Sequence, residues 1–69
     1  MNLTLNHSPE VIETSQQTIT VAELLKIKNF TFRLLIVKIN DEVVKRDVYS
    51  SVTIKEGDNV QVIHLISGG

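Results

Sequence analysis

Apolar and polar residues alternate over Asn2-Leu3-Thr4-Leu5-Asn6, the period-two pattern of a half-buried strand. His7-Ser8-Pro9 interrupts the pattern, because Pro9 fixes its own φ and favours a turn, and Glu10-Val11-Ile12-Glu13-Thr14 restarts it. A first hairpin is predicted. Thr20-Val21-Ala22-Glu23 then has the form of a capping box, with Thr20 as N-cap and Glu23 reaching back to its N–H. Ile19 and Leu24 occupy the two positions of a hydrophobic staple, and Val21, Leu24 and Leu25 share one helical face. The helix is only about two turns long, so packing on a sheet rather than propensity must hold it. Asn29 is the predicted stop, with Phe30 tucked under the sheet.

From Arg33 to Asn40, Leu35, Val37 and Ile39 fall on one strand face and Leu34, Ile36 and Lys38 on the other. Asn40-Asp41 is a turn signal and Val43-Val44 a short strand. Asp47 to Val52 is predicted as a loop with one helical turn, followed by Val52 and Ile54 pointing inward. Gly57-Asp58 marks a tight turn in which glycine supplies a positive φ, and both residues are assigned to structure. A β-prone run, Val60 to Ile66, leads directly into Ser67-Gly68-Gly69. The predicted order is β-β-α-β-β-β. One helix laid across a mixed sheet of four to five strands buries these stripes most economically, with the first and last strands parallel at the centre. This is an α+β fold, the β-grasp or ubiquitin-like roll.

Length and charge narrow the function. The 69 residues make a single domain, 1–69, with 67–69 expected as a flexible C-terminal tail. Without cysteine the chain can form no disulfide, Cys-ligated zinc or iron–sulfur centre. A formal charge of −1, from seven basic and eight acidic residues, leaves no footprint for nucleic acid. The longest apolar runs, such as Leu34 to Val37, are too short to span a bilayer. Met1-Asn2-Leu3-Thr4 lacks the features of a signal peptide, so a cytoplasmic location is expected.

No side chains assemble into a catalytic set. His7 and His64 stand far apart with no ligand cluster at metal spacing, and the serines and threonines sit in turns or on strand faces. The chain is therefore read as a non-enzyme. Chemistry is expected instead at Gly68-Gly69. A C-terminal carboxylate is a poor electrophile, but ATP can activate it as an acyl-adenylate. A tail without Cβ atoms threads a narrow channel in extended form, and Ser67 continues the small-residue stretch. On the last strand, Val60, Val62, His64 and Ile66 alternate with Gln61, Ile63 and Leu65, so both faces are partly apolar although only one can meet the helix. Ile36, Ile63, Leu65 and Ile66 are the candidate partner-docking residues. Lys38, Lys45 and Arg46 either steer an acidic partner or form a solvated face.

Over nearly its whole length the chain resembles the ThiS sulfur carriers of thiamine biosynthesis. The resemblance lies in Thr20-Val21-Ala22-Glu23-Leu24-Leu25, Lys38-Ile39-Asn40, Glu42-Val43-Val44 with Arg46 two residues on, Glu56-Gly57-Asp58 and the terminal Gly-Gly. It implies that an E1-like (ThiF-like) enzyme adenylates the Gly69 carboxylate with ATP. Sulfur from a cysteine-derived persulfide then replaces the activated oxygen. The resulting Gly69 thiocarboxylate gives its sulfur to thiazole synthase (ThiG-like), and the carrier itself binds no cofactor. Three positions depart from the family: Lys45 where proline is frequent, Asn6-His7-Ser8-Pro9 where Asn-Gly often turns the hairpin, and Ser67 where many members have a third glycine. Rival readings are the small subunit of molybdopterin synthase, a ubiquitin-like protein modifier, and a non-covalent β-grasp interaction domain. The first usually carries an aromatic-Pro-Pro signature that Ile63-His64-Leu65-Ile66-Ser67 lacks. A ferredoxin of the same fold would need cluster-binding cysteines.

Overall fold

The computed structural model describes residues 1–31 and 34–65. The chain opens with a hairpin of β1 (Asn2–Leu5) and β2 (Ser8–Val11). Its turn is Asn6-His7, with φ of +51° and +68°, the two-residue type whose twist matches the strands. The turn thus lies earlier than His7-Ser8-Pro9, and Pro9 falls inside β2. An edge strand tolerates it there because its missing N–H is not needed on the outward side.

Strand β3 (Thr18–Thr20) runs into helix α1 (Val21–Ile27). The capping box forms as predicted: Glu23 N–H donates to Thr20 Oγ1 (3.1 Å) and Thr20 N–H to Glu23 Oε1 (2.9 Å). The first two helical N–H groups donate elsewhere, Val21 to the Val52 carbonyl (3.0 Å) and Ala22 to the Tyr49 carbonyl (2.9 Å). Those orphan donors therefore pin the 49–52 loop to the helix start. At the other end Asn29 takes φ +57°, Phe30 N–H donates to the Leu25 carbonyl and Asn29 N–H to that of Lys26. This is the Schellman arrangement, with Phe30 half-buried against the core as its hydrophobic partner. A Lys28–Glu10 ion pair at 2.9 Å joins the end of α1 to β2.

Strand β4 (Leu35–Ile39) turns at Asn40-Asp41, φ +50° and +71°, into β5 (Glu42–Val44). A 3₁₀ turn at Arg46–Val48 supplies the single helical turn expected in this loop. Then follow β6 (Thr53–Lys55) and β7 (Asn59–His64), joined through Gly57 at φ +85°. Five strands form one sheet in the order β2-β1-β7-β4-β5. Strand β7 is central, parallel to β1 and antiparallel to β4. This is the expected β-grasp topology. The sequence reading missed β3 and β6, which pair as a separate two-stranded ribbon with Ile19 opposite Ile54. Each is three residues long, too short for alternation to register as a strand.

The core lies between α1 and one sheet face. Ile12, Ile19, Val21, Leu24, Val37, Ile54 and Val60 are its most completely enclosed members. Burying Leu24 alone contributes about 1.5–3 kcal/mol, which a helix of two turns needs to persist.

Candidate functional site

Strand β7 carries the chain toward the predicted reactive end, and both of its neighbours hold it. The Asn6 N–H donates to the Val60 carbonyl (2.9 Å), and Thr4 N–H to that of Asp58 (2.9 Å). Where β1 ends, the Asn6 side chain takes over, its Oδ1 accepting from Val62 N–H at 2.8 Å. On the other side β4 pairs from Leu35–His64 through Ile39–Val60. Leu65 N–H extends that ladder to the Leu34 carbonyl at 2.9 Å. The predicted tail residues Ser67, Gly68 and Gly69, and the predicted docking residue Ile66, lie outside the described residues.

The turn before β7 is built around a buried carboxylate. Asp58 accepts from Lys55 N–H (2.9 Å), the Lys55 ammonium (2.9 Å) and Asn40 Nδ2 (3.2 Å). Burial pushes this carboxyl up, but the two Lys55 donors, the Asn40 amide and the Lys55 charge outweigh it and hold Asp58 below the ordinary range. Asn40 Oδ1 in turn accepts from Asn59 N–H (3.0 Å), and Asn40 N–H donates to the Asn59 carbonyl (2.7 Å). The β4–β5 turn and the start of β7 are thus one hydrogen-bonded unit. Beside it, the Asn2 N–H donates to Glu56 Oε1 at 2.8 Å and lowers that carboxyl as well.

Opposite α1, the outer sheet face collects apolar side chains. Val37 and Val62 are cross-strand partners in the core, so their neighbours Ile36 and Ile63, also partners, point the other way. Ile36 is half-buried, while Ile63 and Leu65 are 40% and 42% exposed. Three of the four predicted docking residues therefore share one surface. Leu34, 48% exposed, extends it opposite Leu65, and Val43, 64% exposed, continues it at the β5 edge beside Lys38. Leu34 was legible as the residue two before Ile36. Val43 was not, because only the sheet order brings it to this face. No described helix covers the patch, and Gln61, which approaches His7 Nε2 at 3.2 Å, borders it. On the α1 side, where β4 begins and β7 ends, a notch of about 310 Å³ opens among Leu25, Phe30, Leu35, Arg46, Tyr49 and Leu65.

Among the described residues no three His, Asp or Glu side chains come together, and no helix is long and apolar enough to cross a membrane. A central strand flanked by an uncovered apolar face offers another protein a rigid surface to bind.

The family model for the ThiS family matches residues 3–69. The chain belongs to the ThiS family. Its fold is that of a thiamine biosynthesis protein (ThiS) from Geobacter metallireducens in crystal form, which is 31% identical over 100% of both chains with a TM-score of 0.87. A solution structure of a thiamine biosynthesis protein from the same organism is 30% identical, covers 100% of this chain and 88% of its own, and superposes with a TM-score of 0.76. No curated protein matches the chain significantly. Membership in the ThiS family supports the sulfur-carrier resemblance.

Proposed function

We propose that this chain is the sulfur carrier of thiamine biosynthesis and that the Gly69 carboxylate is the group that carries the sulfur. An E1-like enzyme joins that carboxylate to AMP from ATP with loss of pyrophosphate, and the outer sulfur of a persulfide displaces AMP to form an acyl disulfide. A second thiol cleaves that disulfide to free the thiocarboxylate, itself becoming disulfide-bonded to the donor thiol, and thiazole synthase receives the sulfur. The observation that supports this best is the central, doubly held β7 leading toward Gly68-Gly69 beside an uncovered apolar face, in a chain of the ThiS family. The rigid strand gives a partner a fixed body to grip, and small terminal residues admit the carbonyl into an enclosed active site. Ile36, Ile63 and Leu65, with Leu34, form the docking surface for the adenylating enzyme in this reading. The chain supplies no catalytic side chain and needs no bound cofactor. The test is the intact mass of the protein after incubation with the adenylating enzyme, ATP and a sulfide source. A gain equal to exchanging one oxygen for sulfur, absent when Gly69 is deleted, supports the carrier. No gain with an enzyme of demonstrated competence overturns it. Conjugates to lysine that survive reducing gels would instead support a protein modifier.

A further inference from the structure

Strands β2 and β5 form the two edges of the sheet, and their backbones differ in what they offer. In the first hairpin, Leu5 and Ser8 flank the two-residue turn and form the hydrogen-bonded pair, so Thr4 and Pro9 form the non-bonded pair. The Pro9 nitrogen therefore faces outward, and it carries no hydrogen. That edge is blunted. In the second hairpin the same alternation bonds Ile39 to Glu42 and turns both the N–H and the C=O of Val43 outward. Lys45 occupies the next outward position. It is extended at φ −73°, ψ 148°, and its N–H meets no acceptor among the described residues. Beneath this edge, on the core side, lies a groove of about 460 Å³ whose apolar lining is Ile39, Val44, Val48 and Val52, with the polar Glu42 and Lys45 also bordering it.

We propose that β5 is a recognition edge to which the partner protein adds an extended strand. The strand bonds to the Val43 N–H and C=O and the Lys45 N–H, seats an apolar side chain in the groove, and sets an acidic side chain against the Lys45 ammonium. This inference rests on the carrier reading, because Val43 continues the same outer face that the docking enzyme would cover. Backbone pairing supplies affinity and the groove supplies selectivity, the division of labour usual in strand addition. A second copy of this chain fits the edge less well. Symmetric pairing about Val43 ends at once, since Asp41 at φ +71° turns the chain away before its carbonyl can meet Lys45 of the other copy.

Two substitutions separate charge from backbone. Lys45→Ala removes the ammonium and keeps the N–H, whereas Lys45→Pro removes both. The observed φ of −73° lies in the range of proline and Val44 before it is extended, so the fold accepts the change. Binding to the purified adenylating enzyme is measured by calorimetry, and amide exchange of the wild-type chain is followed free and bound. Lys45→Pro should bind about fivefold more weakly than Lys45→Ala, the factor one net hydrogen bond gives. The Val43 and Lys45 amides should exchange more slowly in the complex. Equal affinity of the two variants overturns the proposal, and so do unprotected amides, whatever the variants' stability. Protection that instead grows with carrier concentration, without enzyme, assigns the edge to self-association and overturns it too. The mass gain of the wild-type chain reads the carrier chemistry separately.

Discussion

Replacing Asp58 should cost this protein a large share of its stability. The carboxylate is almost completely enclosed, at 5% exposure, and accepts three hydrogen bonds. The Lys55 ammonium belongs to a side chain 68% exposed, so its pairing is screened and contributes at most about 1 kcal/mol. The Lys55 N–H to carboxylate bond contributes about 1.5–3 kcal/mol, as hydrogen bonds to charged groups do. The Asn40 bond at 3.2 Å adds a smaller increment. Asp58→Ala strips all three and should lose about 3 kcal/mol in total, against a stability of about 3–10 kcal/mol for a domain of this size. In urea, with a slope of about 1 kcal/mol/M, the midpoint should fall by about 3 M.

Asp58→Asn keeps an acceptor for Lys55 N–H and should lose about half as much. The pH dependence separates this account from simple loss of packing. Because the folded carboxyl lies below its unfolded value, its contribution is fully present above the unfolded pKa and is lost as pH falls through the folded one. Wild-type stability should therefore decline below about pH 4, and Asp58→Asn should flatten that decline. The exposed Glu56, shifted in the same direction, leaves a residual slope in the variant. A loss under 1 kcal/mol for Asp58→Ala, or an unchanged acid profile in Asp58→Asn, would refute the reasoning.

Three further outcomes are expected. Thr20→Ala breaks the capping box and should lower stability by about 1 kcal/mol in thermal or urea unfolding. Gly57→Ala meets no atom within 4 Å, yet its φ of +85° penalises any Cβ, so it should cost about 1–2 kcal/mol from backbone strain alone. Ile63→Asp places a charge on the outer face at a side chain already 40% exposed; folding should change by less than about 1 kcal/mol while affinity for the adenylating enzyme falls by tenfold or more, measured by calorimetry.

The helix and its cap were readable from Ile19 to Asn29, because a capping box, a staple and a stop are local hydrogen-bond and contact rules. The turns at Asn40-Asp41 and Gly57 were readable for the same reason: their positive φ values select Asn, Asp and Gly. Pro9 misled, since a residue that commonly makes turns is equally at home in an edge strand, and no local signal says which strand is an edge. Strands β3 and β6 were invisible because neither is stable without the other, and 32 residues separate Thr20 from the first residue of its partner ribbon, Thr53.

On the candidate docking face, alternation alone divided Ile36, Ile63 and Leu65 from the core-facing set. The terminal glycines stood out by residue type, and the composition without cysteine removed metal and redox chemistry that depends on thiolates. Only the tertiary structure decided that no described element covers the outer face, that Val43 joins it, and that one edge is closed by Pro9 while the other leaves Val43 and Lys45 open. It alone united Asp58 with Asn40 across two separate turns. The division has a physical basis. Local sequence encodes dihedral preference and periodicity, whereas coverage, edges and cross-turn hydrogen bonds are properties of neighbours that meet only when the sheet is assembled.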